Sequence, residues 1–497
     1  MKNKIVEIVL IILLLDILLL AVSFMPGVSI PFFNNNELKI KFLSFNSISD
    51  FGYKVPAKSA DSLIHSYLSD DSINSKKLHR SSLSGIEPKM RNNYFTNPEK
   101  DNVYALDDFF NALKNQKDTS LVRILHYGDS QLEGDRITCY LRNDFQKEFG
   151  GSGIGFIPFD DIVGYVNYAR SSSPNWIRYT VFHNRYGCSF YGLSGNVYKF
   201  SKYAVVKNDN DTALGNKGKD SSLQKFSLKK IYDNATVSIS LGPQVYYNKI
   251  SLMYGRSYSP CLMNIYDQWK NEKINSEILQ PSEEFTVHKL AFPNTVRSFT
   301  LEFTGDYSPD FYGLLVDGSN GVQVDNYAIR GHSGDGLLLI NPGYLAVQLR
   351  KLNVKLVIFQ YGNNAVPYVT SDERCKEMED MYYSIFMLYR NAIPGLSILV
   401  IGTGDMSTVI NGEYSSYPYI PKMIEAQKKA ALKAGCAFWD LHEVMGGENS
   451  ILAWTNEGLA SHDGHFTFKG QKIIGKELFK ALMIEYNQYK YRQRTKG

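Results

Sequence analysis

The stretch Leu121-Val122-Arg123-Ile124-Leu125-His126-Tyr127-Gly128-Asp129-Ser130-Gln131 decides the fold. An apolar, β-branched run that stops at glycine reads as a buried strand entering a turn. Ile137 to Phe149 follows with helical spacing, and Leu106 to Leu113 precedes with the same period. Strand, turn and helix in that order open an α/β domain. The same alternation returns after Gly313. Val354 to Phe359, Leu396 to Ile401 and Ala437 to Asp440 read as strands, with helices over Met423 to Lys433 and Gly470 to Tyr486. Such alternation implies a parallel sheet.

Between these halves the pattern changes. Ile177 to Phe182, Ala235 to Leu241 and Ser298 to Phe303 alternate or run β-branched between Gly, Asn and Asp clusters, which predicts an all-β sandwich. The predicted organisation is an α/β domain over 105–165 and 313–490, split by a β-sandwich over 166–312. Residues 28–104 are polar and Ser/Asn/Lys-rich, and read as a stalk.

Lys2 and Lys4 precede an apolar run from Ile5 to Met25, which Pro26 and Gly27 end. About 20 apolar residues suit a transmembrane helix, and flanking cations predict a cytoplasmic N-terminus with the body outside. Asp16 within the run and Ala21-Val22-Ser23 near its end leave a cleaved signal peptide open over 1–27. Either reading puts the body in the cell envelope.

Bulk properties exclude several classes. The net charge is +4 over 497 residues, without a basic patch interleaved with aromatics, so no nucleic-acid partner is expected. Five scattered cysteines without a CxxC form neither a disulfide framework nor a zinc site, although a single Cys188–Cys261 bridge stays open. No metal or organic cofactor is expected, and no P-loop, GxGxxG or GxSxG pattern occurs. The sequence leaves the oligomeric state open.

Four short blocks carry the chemistry. Gly128-Asp129-Ser130 lies at the carboxyl end of a predicted strand, where open α/β sheets bind ligands. Taken alone, Asp129 or Ser130 also suits a helix N-cap. Arg330-Gly331-His332-Ser333-Gly334 is a Gly-rich turn, and Gly362-Asn363-Asn364 ends the strand begun at Val354. Ser461-His462-Asp463-Gly464-His465 offers a base beside a carboxylate ahead of the last helix.

In this order the blocks resemble those of SGNH (GDSL-like) hydrolases. The wider wording is similar to exported bacterial peptidoglycan and polysaccharide O-acetylesterases, as in His126 to Arg136, Phe359 to Asn364 and His465 to Gly470. The resemblance implies an SGNH, flavodoxin-like three-layer fold with a carbohydrate-binding-like β-domain between the first two blocks. It implies Ser130 as nucleophile, His465 as base, Asp463 as acid, and an oxyanion hole from Ser130 N–H, Gly331 N–H and the Asn364 side chain. The usual Asp-x-x-His spacing is shortened here to Asp463-Gly464-His465, so a Ser–His dyad or an acid elsewhere stays open. The implied substrate is an acetylated glycan. Transfer of acetyl to a polysaccharide through the same serine is one alternative, and a non-catalytic glycan-binding surface protein is another. His126 reads as a strand residue below the site. His332 reads as a substrate contact or a turn residue, and Asp135 and Arg136 as pocket-lining or solvated. Trp176, Tyr246, Tyr247, Tyr258 and Trp269 are candidates for a sugar platform or for core packing.

Overall fold

The computed structural model describes residues 28–32, 36–40, 90–91, 94–97, 100–116, 120–206, 227–292 and 296–495. The membrane-anchor expectation falls on residues outside that set. Among the described residues, no helix is long and apolar enough to cross a membrane. Val28–Phe32 and Asn36–Ile40 pair as an antiparallel hairpin, which is described by itself.

In the remaining described chain five parallel strands form one sheet and are numbered in chain order. They are β1 (Leu121–Gly128), β2 (Gly321–Ala328), β3 (Val354–Gln360), β4 (Ser397–Ile401) and β5 (Ala437–Trp439). Their spatial order is β2-β1-β3-β4-β5, with Met90–Arg91 added antiparallel beyond β5. This is the flavodoxin-like order, and it reverses direction between β1 and β3. The edge strand comes from the stretch read as a stalk; two residues are too short to leave a period in the sequence.

Side-chain alternation along these strands builds the three layers. One face presents Ile124, Ile358, Leu399 and Ile401 to helices α1 (Asp107–Lys114) and α2 (Arg136–Phe149) and to the final helix, Phe468–Thr495. The other presents Tyr127, Phe359, Ile398 and Val400 to α3 (Pro342–Lys351), α4 (Asp372–Ala392) and α5 (Ile420–Lys433). Tyr127 stacks on Phe359 at 5.5 Å and meets Tyr389 of α4 edge-on at 5.5 Å. Truncating one of these fully buried side chains to alanine costs about 2–5 kcal/mol.

Between α2 and β2 the chain makes two antiparallel sheets. In the first, Thr286–Lys289, Lys249–Gly255, Asp310–Asp317, Asn196–Phe200 and Trp176–Thr180 lie side by side, and Gly155–Ile157 pairs with Asp310–Asp317. The second orders Glu272–Leu279, Cys261–Asp267, Ser298–Thr304, Ala235–Leu241 and Tyr168–Ser172. Leu252, Phe311 and Leu314 from one sheet pack with Ile239, Ile265 and Leu301 from the other. The sheets therefore reach beyond the predicted 166–312 limits at both ends. Trp176 lies within this packing against Phe159, Phe303 and Phe311, whereas Tyr246, Tyr258 and Trp269 are exposed. Cys188 and Cys261 are both free thiols, so the bridge left open by the sequence is absent.

A buried ion cluster joins this body to the parallel sheet. Arg123 of β1 donates to both oxygens of Asp325 in β2 at 2.8 Å and to Asp317 at 2.6 Å. Burial opposes the Arg123 charge, but the two carboxylates more than offset it. Removing one partner of such a cluster strands a buried charge, at a cost of about 3–5 kcal/mol.

Candidate active site

β1 ends on Gly128 because nothing larger fits. A Cβ there would sit 2.8 Å from the Gln360 carbonyl at the end of β3. The chain then turns sharply. Asp129 Oδ1 accepts the Gln131 N–H at 2.9 Å, and Leu132 N–H donates to the Asp129 carbonyl at 3.1 Å. Ser130 stands at the apex of this turn, beside the point where the strand order reverses. It is not a helix N-cap. α2 begins only at Arg136, after Gly134 and Asp135 have taken positive φ values of 70° and 67°. That conformation is unfavourable for aspartate. The Asp135 carboxylate is held there by a two-point bond from Arg142 at 2.6 and 2.9 Å. Asp135 is thus neither pocket-lining nor solvated. Arg136 donates to the Ser130 carbonyl at 3.4 Å.

Ser130 Oγ lies 2.7 Å from His465 Nε2, and His465 Nδ1 lies 3.0 Å from Asp463 Oδ2. The short Asp-x-His spacing works because Gly464 takes φ +84°, folding Asp463 back alongside the imidazole it precedes. Asp463 Oδ1 accepts from Ser461 Oγ at 2.5 Å and from the His465 N–H at 3.2 Å. Burial works to raise the Asp463 pKa. Hydrogen bonds from Ser461 and His465, with the nearby imidazole charge, outweigh it and hold the carboxyl below its ordinary range. Even so, the Asp463 side chain is 65% exposed. His462 takes no part in this relay. Its ring stacks on Tyr414 at 3.8 Å, and its Nδ1 sits 3.1 Å from Ser407 Oγ.

The remaining blocks converge from the neighbouring strands. Gly331 follows β2 with φ +69° and faces open space. Among the described residues, neither the Ser130 N–H nor the Gly331 N–H donates to a protein acceptor. Asn364 follows β3, but its amide is engaged: Nδ2 lies 3.0 Å from Asp129 Oδ2 and 3.2 Å from the His332 carbonyl. Arg330 makes a two-point bond to buried Glu133 at 2.7 and 2.5 Å, tying the Gly331 turn to the Ser130 turn.

His332 is fully buried, so it is not a substrate contact. Its Nδ1 accepts the Gly334 N–H at 3.1 Å, and Phe182 meets the ring edge-on. Burial lowers its pKa against the pull of Asp335. His126 lies below the site between Gln360 Oε1 and Thr138 Oγ1, each at 3.1 Å. Burial drives its pKa to about 3, so it is neutral. Asp129 is 1% exposed, and burial raises its pKa to about 6, against the Gln131, His465 and Asn364 contacts that favour the charge. Among the described residues no group of His, Cys, Asp and Glu is arranged to hold a metal ion.

Sequence reading assigned no role to Gln131, Glu133 or Ser461. All three stand within the quoted blocks, but their partners are set only by the fold.

No protein-family model matches the chain. No curated protein matches it either. A solved peptidoglycan O-acetylesterase matches in structure with a TM-score of 0.57 at 18% identity, over 77% of this chain and 96% of that one. This chain shares its fold. An acetyl xylan esterase from Butyrivibrio proteoclasticus overlaps much more loosely, with a TM-score of 0.23 at 11% identity over 51% of this chain and 90% of that one. A putative GDSL-like lipase from Bacteroides ovatus does the same, at 0.21 and 12% over 51% and 84%.

Proposed function

We propose that the chain is a serine esterase that removes O-acetyl groups from a cell-envelope glycan through an acyl-enzyme on Ser130. The observation that carries this reading is the 2.7 Å contact between Ser130 Oγ and His465 Nε2. His465 takes the hydroxyl proton as Oγ attacks the acetyl carbonyl. The Ser130 and Gly331 N–H groups receive the oxyanion, and Asn364 joins them if its amide turns from the His332 carbonyl. Collapse expels the sugar hydroxyl, which takes its proton from His465. Water then repeats the cycle and releases acetate. Asp463 holds the imidazole with Nδ1 protonated and Nε2 free to accept.

The glycan substrate rests on the fold shared with a peptidoglycan O-acetylesterase and on the insertion of a β-sandwich beside the site. The compartment rests on the apolar run from Ile5 to Met25, read as an anchor or a cleaved signal peptide, either of which puts the body outside the cytoplasm. The test is acetate release from O-acetylated peptidoglycan and from p-nitrophenyl acetate, wild type against Ser130→Ala. Loss of both activities in a folded variant supports the reading. A variant that keeps the wild-type rate overturns it.

A further inference from the structure

One buried side chain spans the gap between nucleophile and base. Gln131 follows Ser130 in the turn and is 4% exposed. Its Nε2 donates to the Gly464 carbonyl at 2.6 Å, and its Oε1 accepts the Phe466 N–H at 3.4 Å. These two groups flank His465. One amide therefore pins the backbone on both sides of the base, as a neighbouring strand would. Its own N–H closes the turn onto Asp129 Oδ1, and the other oxygen of Asp129 takes the Asn364 amide. A single residue thus ties the nucleophile turn to the base loop and, through Asp129, to the Asn364 side chain.

The contacts on the far side of the base are weaker. Asp463 is exposed, and its partners Ser461 and His465 belong to its own loop. An exposed carboxylate holding an imidazole is screened by water and adds little stiffness. Hydrogen bonds from a buried amide are not competed for by solvent, and leaving such an amide unpaired costs about 1–3 kcal/mol.

We propose that Gln131 is a positioning residue, which sets the separation between Ser130 Oγ and His465 Nε2 by clamping the backbone around His465. The proposal rests on the reading of Ser130 and His465 as nucleophile and base. A misplacement of about 1 Å between reacting groups can cost on the order of 100-fold in rate. Gln131→Met keeps the volume and removes both hydrogen bonds. It is expected to lower kcat for p-nitrophenyl acetate about 10- to 100-fold with KM nearly unchanged, and to slow fluorophosphonate labelling of Ser130 in parallel.

The discriminating measurement is a double-mutant cycle. If Gln131 acts through His465, adding Gln131→Met to His465→Ala produces no further loss, because the group being positioned is gone. Equal losses in both backgrounds mean a general structural role and overturn the proposal, as does an unchanged kcat in Gln131→Met. Should Gln131→Met fail to fold, Gln131→Asn is read in the same way. It keeps the amide but shortens its reach, so it cannot span the Gly464 carbonyl and the Phe466 N–H. The underlying reading fails separately: His465→Ala at the wild-type rate overturns the base assignment whatever Gln131 does.

Discussion

The two ends of the Ser130–His465 contact are held in opposite ways. On the Ser130 side, Asp129, Gln131, Glu133 and Asp135 are all buried, and each carboxylate or amide has a named partner. On the other side, the His465 side chain is 40% exposed and its carboxylate partner, Asp463, more so. Moving the buried turn would break the hydrogen bonds of these four side chains, which costs free energy. The loop that carries His465 is tied down through its backbone, by Gln131 at Gly464 and Phe466, by the Ser407 N–H at the His462 carbonyl and by Gln471 at the Phe466 carbonyl.

Removing the reacting groups gives the largest effect. Ser130→Ala and His465→Ala should each lower acetate release by a factor on the order of 10⁴ to 10⁶, with melting temperature little changed. Asn364→Ala comes next. Loss of one oxyanion donor lowers kcat by about 10²- to 10³-fold, read by steady-state kinetics. An unchanged kcat would mean that the amide stays on Asp129 and the His332 carbonyl throughout the reaction.

Asp463→Asn tests the contrast most directly. A buried triad acid is worth about 10⁴-fold in kcat, and an exposed one should be worth less, about 10- to 100-fold. A loss equal to that of His465→Ala would show that the exposed side holds the base after all. The smallest effect concerns stability. Asp129 has a folded pKa of about 6, raised from 3.8. The stability that its protonated form contributes is present below the unfolded value and is lost as pH rises through about 6. Relative to Asp129→Asn, the wild type should lose on the order of 2–3 kcal/mol between pH 4 and pH 7. Denaturant midpoints at several pH values read this difference, and parallel profiles would contradict it.

Much of the parallel sheet was legible in the sequence. β1, β3 and β4 are buried on both faces, so each reads as a continuous apolar run with a sharp end. Met90–Arg91 was not legible, because two residues carry no period. The helix read over Ile137 to Phe149 is α2, Arg136–Phe149, but helical spacing does not reveal that Gly134 and Asp135 ahead of it adopt positive φ. Ser130 and His465 stood out as members of short blocks. The acid partner of His465 stayed open between Asp463, an acid elsewhere and none at all, because spacing alone does not say where a side chain points. The Gly464 turn and the stack of His462 on Tyr414 set that geometry.

By itself, then, the sequence determined the α/β class, the strand that delivers Ser130 and the residue types of the four blocks, since these depend on local period and local turn chemistry. Only the tertiary structure decided that Ser130 lies 2.7 Å from His465 and that Gln131 clamps the backbone on either side of it. Hydrogen bonds between residues more than 300 positions apart are set by how strands and loops pack in space, and no local pattern encodes that.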